Sequence, residues 1–251
     1  MRRIALTVPI VVAAMAVLAG IALAKDFEGT PQNDHLIGTA RPDGMWGENG
    51  NDTLTGRKGN DYQEGGPGSD TIVGGKGDDL AIGGSGNDHI QLGPGNDVTY
   101  AGPGGDEVLG EAGSDVLLGQ VGDDRLYGGP DPDRLYPGDG TDYADGGEGP
   151  DQIFAGSGTS ELIGGQGNDT IEGQDGTFTV DAGGGRDRVT LGAGDDHVVG
   201  GVGHDTIAAG PGNDTIDVDD GLRDQVKCGE GIDTVTADKA DVLDGCEKVT
   251  R

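Results

Sequence analysis

Single aliphatic residues punctuate this chain at a fixed interval instead of gathering into long apolar runs. From Leu36 to Ile216 every ninth residue is apolar, with Gln63 and Thr99 the only departures. Each sits in the middle of a three-residue stretch such as Thr71-Ile72-Val73 or His89-Ile90-Gln91. In a strand, successive side chains point to opposite faces, so such a stretch reads outward, inward, outward. The pattern predicts many very short strands, each contributing one buried aliphatic, joined by turns.

The turns share the same period. Counted in nines from Gly29, the register holds through Asp217, giving 21 nonads. The sixth position is Asp in 19 of them, failing only at Ser160 and Phe178. The fourth is Gly in 18, failing at Gln32, Arg41 and Asp131. Three positional biases with one period define a repeat architecture. Glycine at the first, second and fourth positions permits a sharply turning backbone with positive φ. Such a turn gathers carbonyl oxygens on a small volume, and the Asp that follows adds a charged oxygen to it.

Composition sharpens this picture. The chain has 251 residues with 54 Gly, 46 acidic against 16 basic residues, and a formal charge of −30. Low hydrophobicity with high charge prevents collapse without help. The charge also argues against nucleic acid and anionic membranes as partners, and for a cation. Clustered hard oxygens suit Ca²⁺, which takes about 6–8 of them at roughly 2.3–2.6 Å. No thiolate or imidazole recurs with the period, which disfavours Zn²⁺ and Cu²⁺.

The segments GGPGSDTIV (65–73), GGKGDDLAI (74–82), GGSGNDHIQ (83–91) and GGQGNDTIE (164–172) resemble the RTX, or haemolysin-type, calcium-binding nonapeptide. The likeness extends over about three quarters of the chain. It implies an all-β fold, a parallel β-roll (an RTX-type β-solenoid) with two nonads per coil. Ca²⁺ ions would then be shared between turns stacked on the same side, in two separate rows. The candidate ligands of the odd row are Asp52, Asp70, Asp88, Asp106, Asp124, Asp142, Asp196 and Asp214. Those of the even row are Asp61, Asp79, Asp97, Asp115, Asp133, Asp151, Asp169, Asp187 and Asp205. Coils stacked at about 4.8 Å would make ten of them a rod of roughly 50 Å. So little apolar burial set against the entropy of ordering the turns leads us to expect a chain that folds only on binding Ca²⁺.

Interruptions carry their own expectations. Ser160 and Phe178 both belong to the odd row and stack directly, predicting a gap in that row while the even row continues. Asp131, in GGPDPDRLY, either adds a ligand or spoils its turn. At the ninth position of the even nonads, Ile82, Tyr100, Leu118, Tyr136 and Phe154 recur every 18 residues and would form one outward ladder. That ladder is either cross-strand packing or a strip for a cell-surface or extracellular-matrix partner. His35, His89, His197 and His204 occupy outward or turn positions and form no site. The triplets NDT at 51, 168 and 213 match a glycosylation acceptor, but the repeat itself generates them.

The two ends differ from the middle. Residues 1–24 have a basic start at Arg2 and Arg3, a long apolar run and an Ala22-Leu23-Ala24 ending. They read as a secretory signal, with an uncleaved membrane anchor as the alternative. After cleavage no membrane association is expected, and the protein would be extracellular, free or attached to the cell surface. The only cysteines, Cys228 and Cys246, read as a disulfide in an exported chain, with a metal pair the alternative. The organisation expected is signal 1–24, repeat β-roll 25–217 and C-terminal cap 218–251. In the cap the register slips by one residue, and the disulfide would add about 2–3 kcal/mol. Its CGEGID (228–233) resembles the ending of some exported RTX-like proteins and not the C-terminal secretion signal of RTX toxins.

These readings point to a secreted calcium-binding repeat protein, structural or adhesive. The alternative is an accessory repeat component of an extracellular hydrolase or a polysaccharide-binding system. No H-E-x-x-H, G-x-S-x-G or acid pair outside the repeat is present, and no space for a catalytic domain precedes Gly29, so no catalytic residues are expected. Threonine stands at the seventh position in only six nonads, too few for a regular ice- or glycan-matching array.

Overall fold

A computed structural model describes residues 25–251. The signal-or-anchor reading concerns residues 1–24 and lies outside the described residues. The fold is all-β: short strands and turns wind into a parallel solenoid of about thirteen coils. Strands of the even nonads form a 13-stranded sheet, and those of the odd nonads form the facing sheet. Every pair is parallel, and within the repeat each residue lies beside the one 18 further on, as in Tyr62↔Leu80 and Thr71↔His89. A coil is therefore two nonads, as the resemblance to the calcium-binding nonapeptide implies.

The eighth position supplies the core between the sheets. Met45, Leu54, Ile72, Ile90, Val108, Leu126 and Ile153 are fully buried there. The first position also contributes wherever it is an Ala or Leu. Leu92, Ala101, Ala155, Ala182, Leu191 and Ala209 join the same buried cluster. One aliphatic per nonad thus underestimates the core. The first residue of a turn still faces inward, because the chain has not yet left the sheet. The two polar eighth-position residues are buried as well: Gln63 donates from Nε2 to the Val73 carbonyl at 3.1 Å, while Thr99 sits two coils above it in the same column.

On the outer face of the even sheet, Ile82, Tyr100, Tyr136 and Phe154 are half-buried. Leu118 departs from the outward ladder expected: it is only 6% exposed, flanked along the sheet by Tyr100 and Tyr136. Tyr136 and Phe154 stack with ring centroids 5.2 Å apart, and Trp46 packs on Tyr62 at 5.5 Å. Cross-strand packing thus accounts for much of the ladder.

The parallel ladder continues past Asp217. One extra residue is absorbed in the exposed loop 219–223, where Gly221 has open space around it. Beyond it the pairing resumes with a 19-residue offset, as in Thr206↔Gln225 and Thr215↔Thr234. The coils then shorten to offsets of 17 and 14 in Gln225↔Val242 and Thr234↔Lys248.

Because each coil holds so few apolar groups, neighbours cannot fill a lost one. Leu126→Ala is expected to cost about 2–5 kcal/mol of the folded protein's stability, measured by denaturant unfolding in saturating Ca²⁺.

Candidate metal centre

The sixth-position aspartates stack into two columns, one along each edge of the rod. Each is buried, with exposures of 0–4% from Asp52 to Asp214. One oxygen of each carboxylate reaches back a full coil. Asp70 Oδ1 accepts from the Asp52 backbone N–H at 2.7 Å, Asp88 Oδ1 from Asp70 at 2.8 Å and Asp106 Oδ1 from Asp88 at 2.8 Å. The even column repeats this from Asp61 upward, for example Asp61 to Asp79 at 2.7 Å and Asp79 to Asp97 at 2.6 Å. Oδ1 is thereby spent on fixing the spacing of the turns.

The other oxygen has no protein partner. In every candidate ligand except Asp142, Oδ2 is buried and unbonded. Buried polar atoms are almost always satisfied, and an unpaired buried charge is costlier still. A recurrence at this scale points to a missing partner common to all the turns. A carboxylate oxygen only accepts, so that partner is a donor or a cation, and the excess of acidic groups along both columns favours a cation.

The backbone surrounds the same spot with more oxygens. A Cβ placed on Gly47 would lie 2.4 Å from Asp52 Oδ2 and 2.5 Å from the Gly65 carbonyl oxygen. One placed on Gly86, whose φ is +127°, would lie 1.8 Å from the Gly68 carbonyl oxygen. These glycines leave the space in which carbonyls and carboxylates of adjacent turns converge. Among the described residues no three His, Cys, Asp or Glu side chains come together as a metal-holding group. A cation here would depend on main-chain carbonyls for the remainder of its shell. That mixed, all-oxygen and irregular set fits Ca²⁺ better than Mg²⁺, which demands near-ideal octahedral geometry.

Burial governs the protonation of these carboxyls. It pushes Asp61, Asp70, Asp88, Asp124 and Asp133 up to about 6, against the lowering effect of the backbone hydrogen bond. Asp79, Asp97, Asp106, Asp151, Asp187 and Asp196 rise to about 7 and Asp115 to about 8, with neighbouring aspartates adding to the burial effect. Without a cation, the stacked turns favour neutral carboxyls where a solvated aspartate would be charged.

The columns end and break in distinct ways. At the N-terminal end of the described residues, strand Lys25–Glu28 pairs with Asp43–Trp46, but no aspartate turn lies below Asp34 and Asp43. Their Oδ2 atoms instead accept from the backbone N–H and hydroxyl of Thr30 and Thr39, the second residues of their own turns. In the odd column, Ser160 stands where an aspartate would and its hydroxyl reaches toward Asp142 Oδ2 at 3.5 Å. Phe178, the next residue up, is 1% exposed and fills the coil interior beside Gly173 and Leu191. The even column continues past this level, Asp151 accepting from Asp133 and Asp187 from Asp169, each at 2.8 Å. Asp131 lies outside the columns, its Oδ2 accepting from the Gly113 N–H at 3.0 Å. The histidines are exposed, and His89 pairs with Glu107 at 2.9 Å.

Two features escaped the sequence reading. A second ladder runs along the fifth position in the opposite direction: Asn51 Oδ1 accepts from Ser69 N–H, Asn96 Oδ1 from Ser114 N–H and Asn168 Oδ1 from Arg186 N–H, at 2.9–3.1 Å. Asn, Asp, Ser and, past the inserted residue, His204 all serve there, so no single letter recurs. The first ladder also continues into Asp224, Asp233 and Asp241, which a strict count of nine misses after the inserted residue.

A family model for the RTX calcium-binding nonapeptide repeat matches residues 28–63, 64–98, 100–135, 136–171, 158–189 and 190–221. The chain belongs to this family of calcium-binding repeat proteins. No curated protein matches it. The disulfide joins Cys228 to Cys246, with Cα atoms 5.3 Å apart.

The raised carboxyl pKa values set a pH dependence. A carboxyl whose pKa is raised by folding favours the fold while protonated, below the unfolded value of 3.8, and loses that contribution as pH climbs through its folded value. In excess chelator, residual sheet signal should therefore be greatest near pH 4 and fall as pH rises to about 8. Circular dichroism at a series of pH values checks this; sheet content that grows over the same window would contradict it.

Proposed function

We propose that the protein is an exported structural or adhesive rod, ordered by Ca²⁺ bound along both columns of stacked turns. The observation that carries this reading is the column of buried carboxylate oxygens that lack a partner at the same place in successive coils, Asp142 excepted. The ligands are Asp52 to Asp142, Asp196 and Asp214 in the odd column and Asp61 to Asp205 in the even one. Each ion neutralises carboxylates of consecutive turns, so the energy of binding becomes energy of folding. The gap at Ser160 and Phe178 divides the odd array in two, with a phenylalanine supplying the interior that an ion supplies elsewhere.

Export is supported by the disulfide, a bond that persists in oxidising compartments. Residues 218–251 act as the C-terminal cap, closing the rod with shortened coils. Ile82, Tyr100, Tyr136 and Phe154, with Leu118 beneath them, provide the face on which a surface or matrix partner would rest. The role proposed is non-catalytic.

Equilibrium dialysis of the full chain tests the reading. Several Ca²⁺ should bind per molecule, and Mg²⁺ at the same concentration should not replace them. Asp97→Asn keeps an acceptor for the Asp79 N–H while removing the charge, and should lower the number of ions bound. Equal binding of Mg²⁺, or an unchanged ion count in the variant, would count against it.

A further inference from the structure

Beyond the matched repeats, the segment Cys228-Gly229-Glu230-Gly231-Ile232-Asp233 rebuilds the turn with cysteine in place of the first glycine. Gly229 and Gly231 keep positive φ, +121° and +144°. Cβ atoms there would lie 1.8 Å from the Gly210 carbonyl oxygen and 1.5 Å from that of Gly212, the relation seen throughout the repeat. Asp233 is fully buried, its Oδ1 accepts from the Asp214 N–H at 2.9 Å, and its Oδ2 has no partner. The neighbouring turn at 219–224 differs: it also carries a buried Asp224, but Gly221 has nothing packed on it and the loop is open.

The closure of this turn is peculiar to the chain. Within the repeat, the next coil's aspartate holds this backbone N–H, but the coil above Asp233 is shortened to a 14-residue offset and brings no aspartate to it. Glu247 Oε2 takes that role at 3.1 Å, although it lies only 14 residues away. It is placed there by its neighbour Cys246, bonded to Cys228 across 18 residues, the length of one coil. The disulfide thus spans the same rise as a coil and carries Glu247 over the Asp233 turn.

We propose that the Asp214 turn, the last inside the matched repeats, and the Asp233 turn beyond them hold an additional divalent-cation site, which the Cys228–Cys246 disulfide closes by setting Glu247 on the Asp233 backbone. The proposal rests on the reading that the repeat turns bind Ca²⁺. Asp214 and Asp233 supply the carboxylates, the glycine turns supply carbonyls, and Glu247 is a positioning residue. The last site of the odd column is in this way made dependent on an intact disulfide.

Calcium anomalous scattering from crystals of the full chain grown in Ca²⁺ decides the first part. A peak between the Asp214 and Asp233 turns is expected. Peaks in the repeat turns and none here would overturn this proposal alone, whereas no peak anywhere would overturn the calcium reading beneath it. In dialysis, Asp233→Asn should lose at least one ion while keeping its sheet signal, and an unchanged count would contradict the site. Glu247→Ala, and separately reduction of the disulfide with a phosphine, should weaken that ion alone by about 10–100-fold, the range for positioning contacts around a metal. An unaltered affinity after both treatments would remove the disulfide's part in the site.

Discussion

The rod depends on a carboxylate whose two oxygens have different tasks. One reaches back 18 residues to a backbone N–H and sets the spacing of the coils, as Asp70 does for Asp52. The other is left buried among carbonyls with nothing to accept from. The first contact fixes the geometry, and the second makes that geometry expensive until a cation arrives. A conventional domain would offset the cost with a large apolar core, but here the inward side chains form little more than a single file between two sheets. On the function proposed, charge neutralisation by a cation takes the place that hydrophobic burial holds elsewhere.

The same logic explains the places where the pattern fails. Where no aspartate turn lies below among the described residues, Thr30 and Thr39 hold the free carboxylate oxygens of Asp34 and Asp43 with a hydroxyl and an N–H. Where the shortened coil above Asp233 brings no aspartate, Glu247 supplies the acceptor for its N–H. In the middle, Phe178 shows the alternative solution: an aromatic ring in the interior removes the charge and the need for an ion together. Each departure from the repeat meets a demand that the repeat creates.

Most of this architecture could be read from the letters, because a period of nine with glycine, aspartate and an aliphatic at fixed places leaves few alternatives. The buried aspartates and the inward eighth position follow from strand alternation and turn chemistry. What stayed hidden depended on relations between coils. The direction in which Asp70 reaches is invisible in a single repeat. The fifth-position ladder is written in four residue types and produces no consensus. Leu118 is covered by Tyr100 and Tyr136 only once neighbouring coils are stacked. Asp224 and Asp233 fell outside the count because one inserted residue in an exposed loop shifted the register, while the ladder simply bulged around it.

The claim that a cation substitutes for the core is tested most directly by far-UV circular dichroism of the full chain in excess chelator, followed by titration with Ca²⁺. The account predicts a largely disordered spectrum in chelator at neutral pH and a cooperative gain of sheet as Ca²⁺ is added, reversed by further chelator. Sheet structure that persists unchanged in chelator would show that the solenoid sustains itself and that the unpartnered carboxylates are not what holds it back.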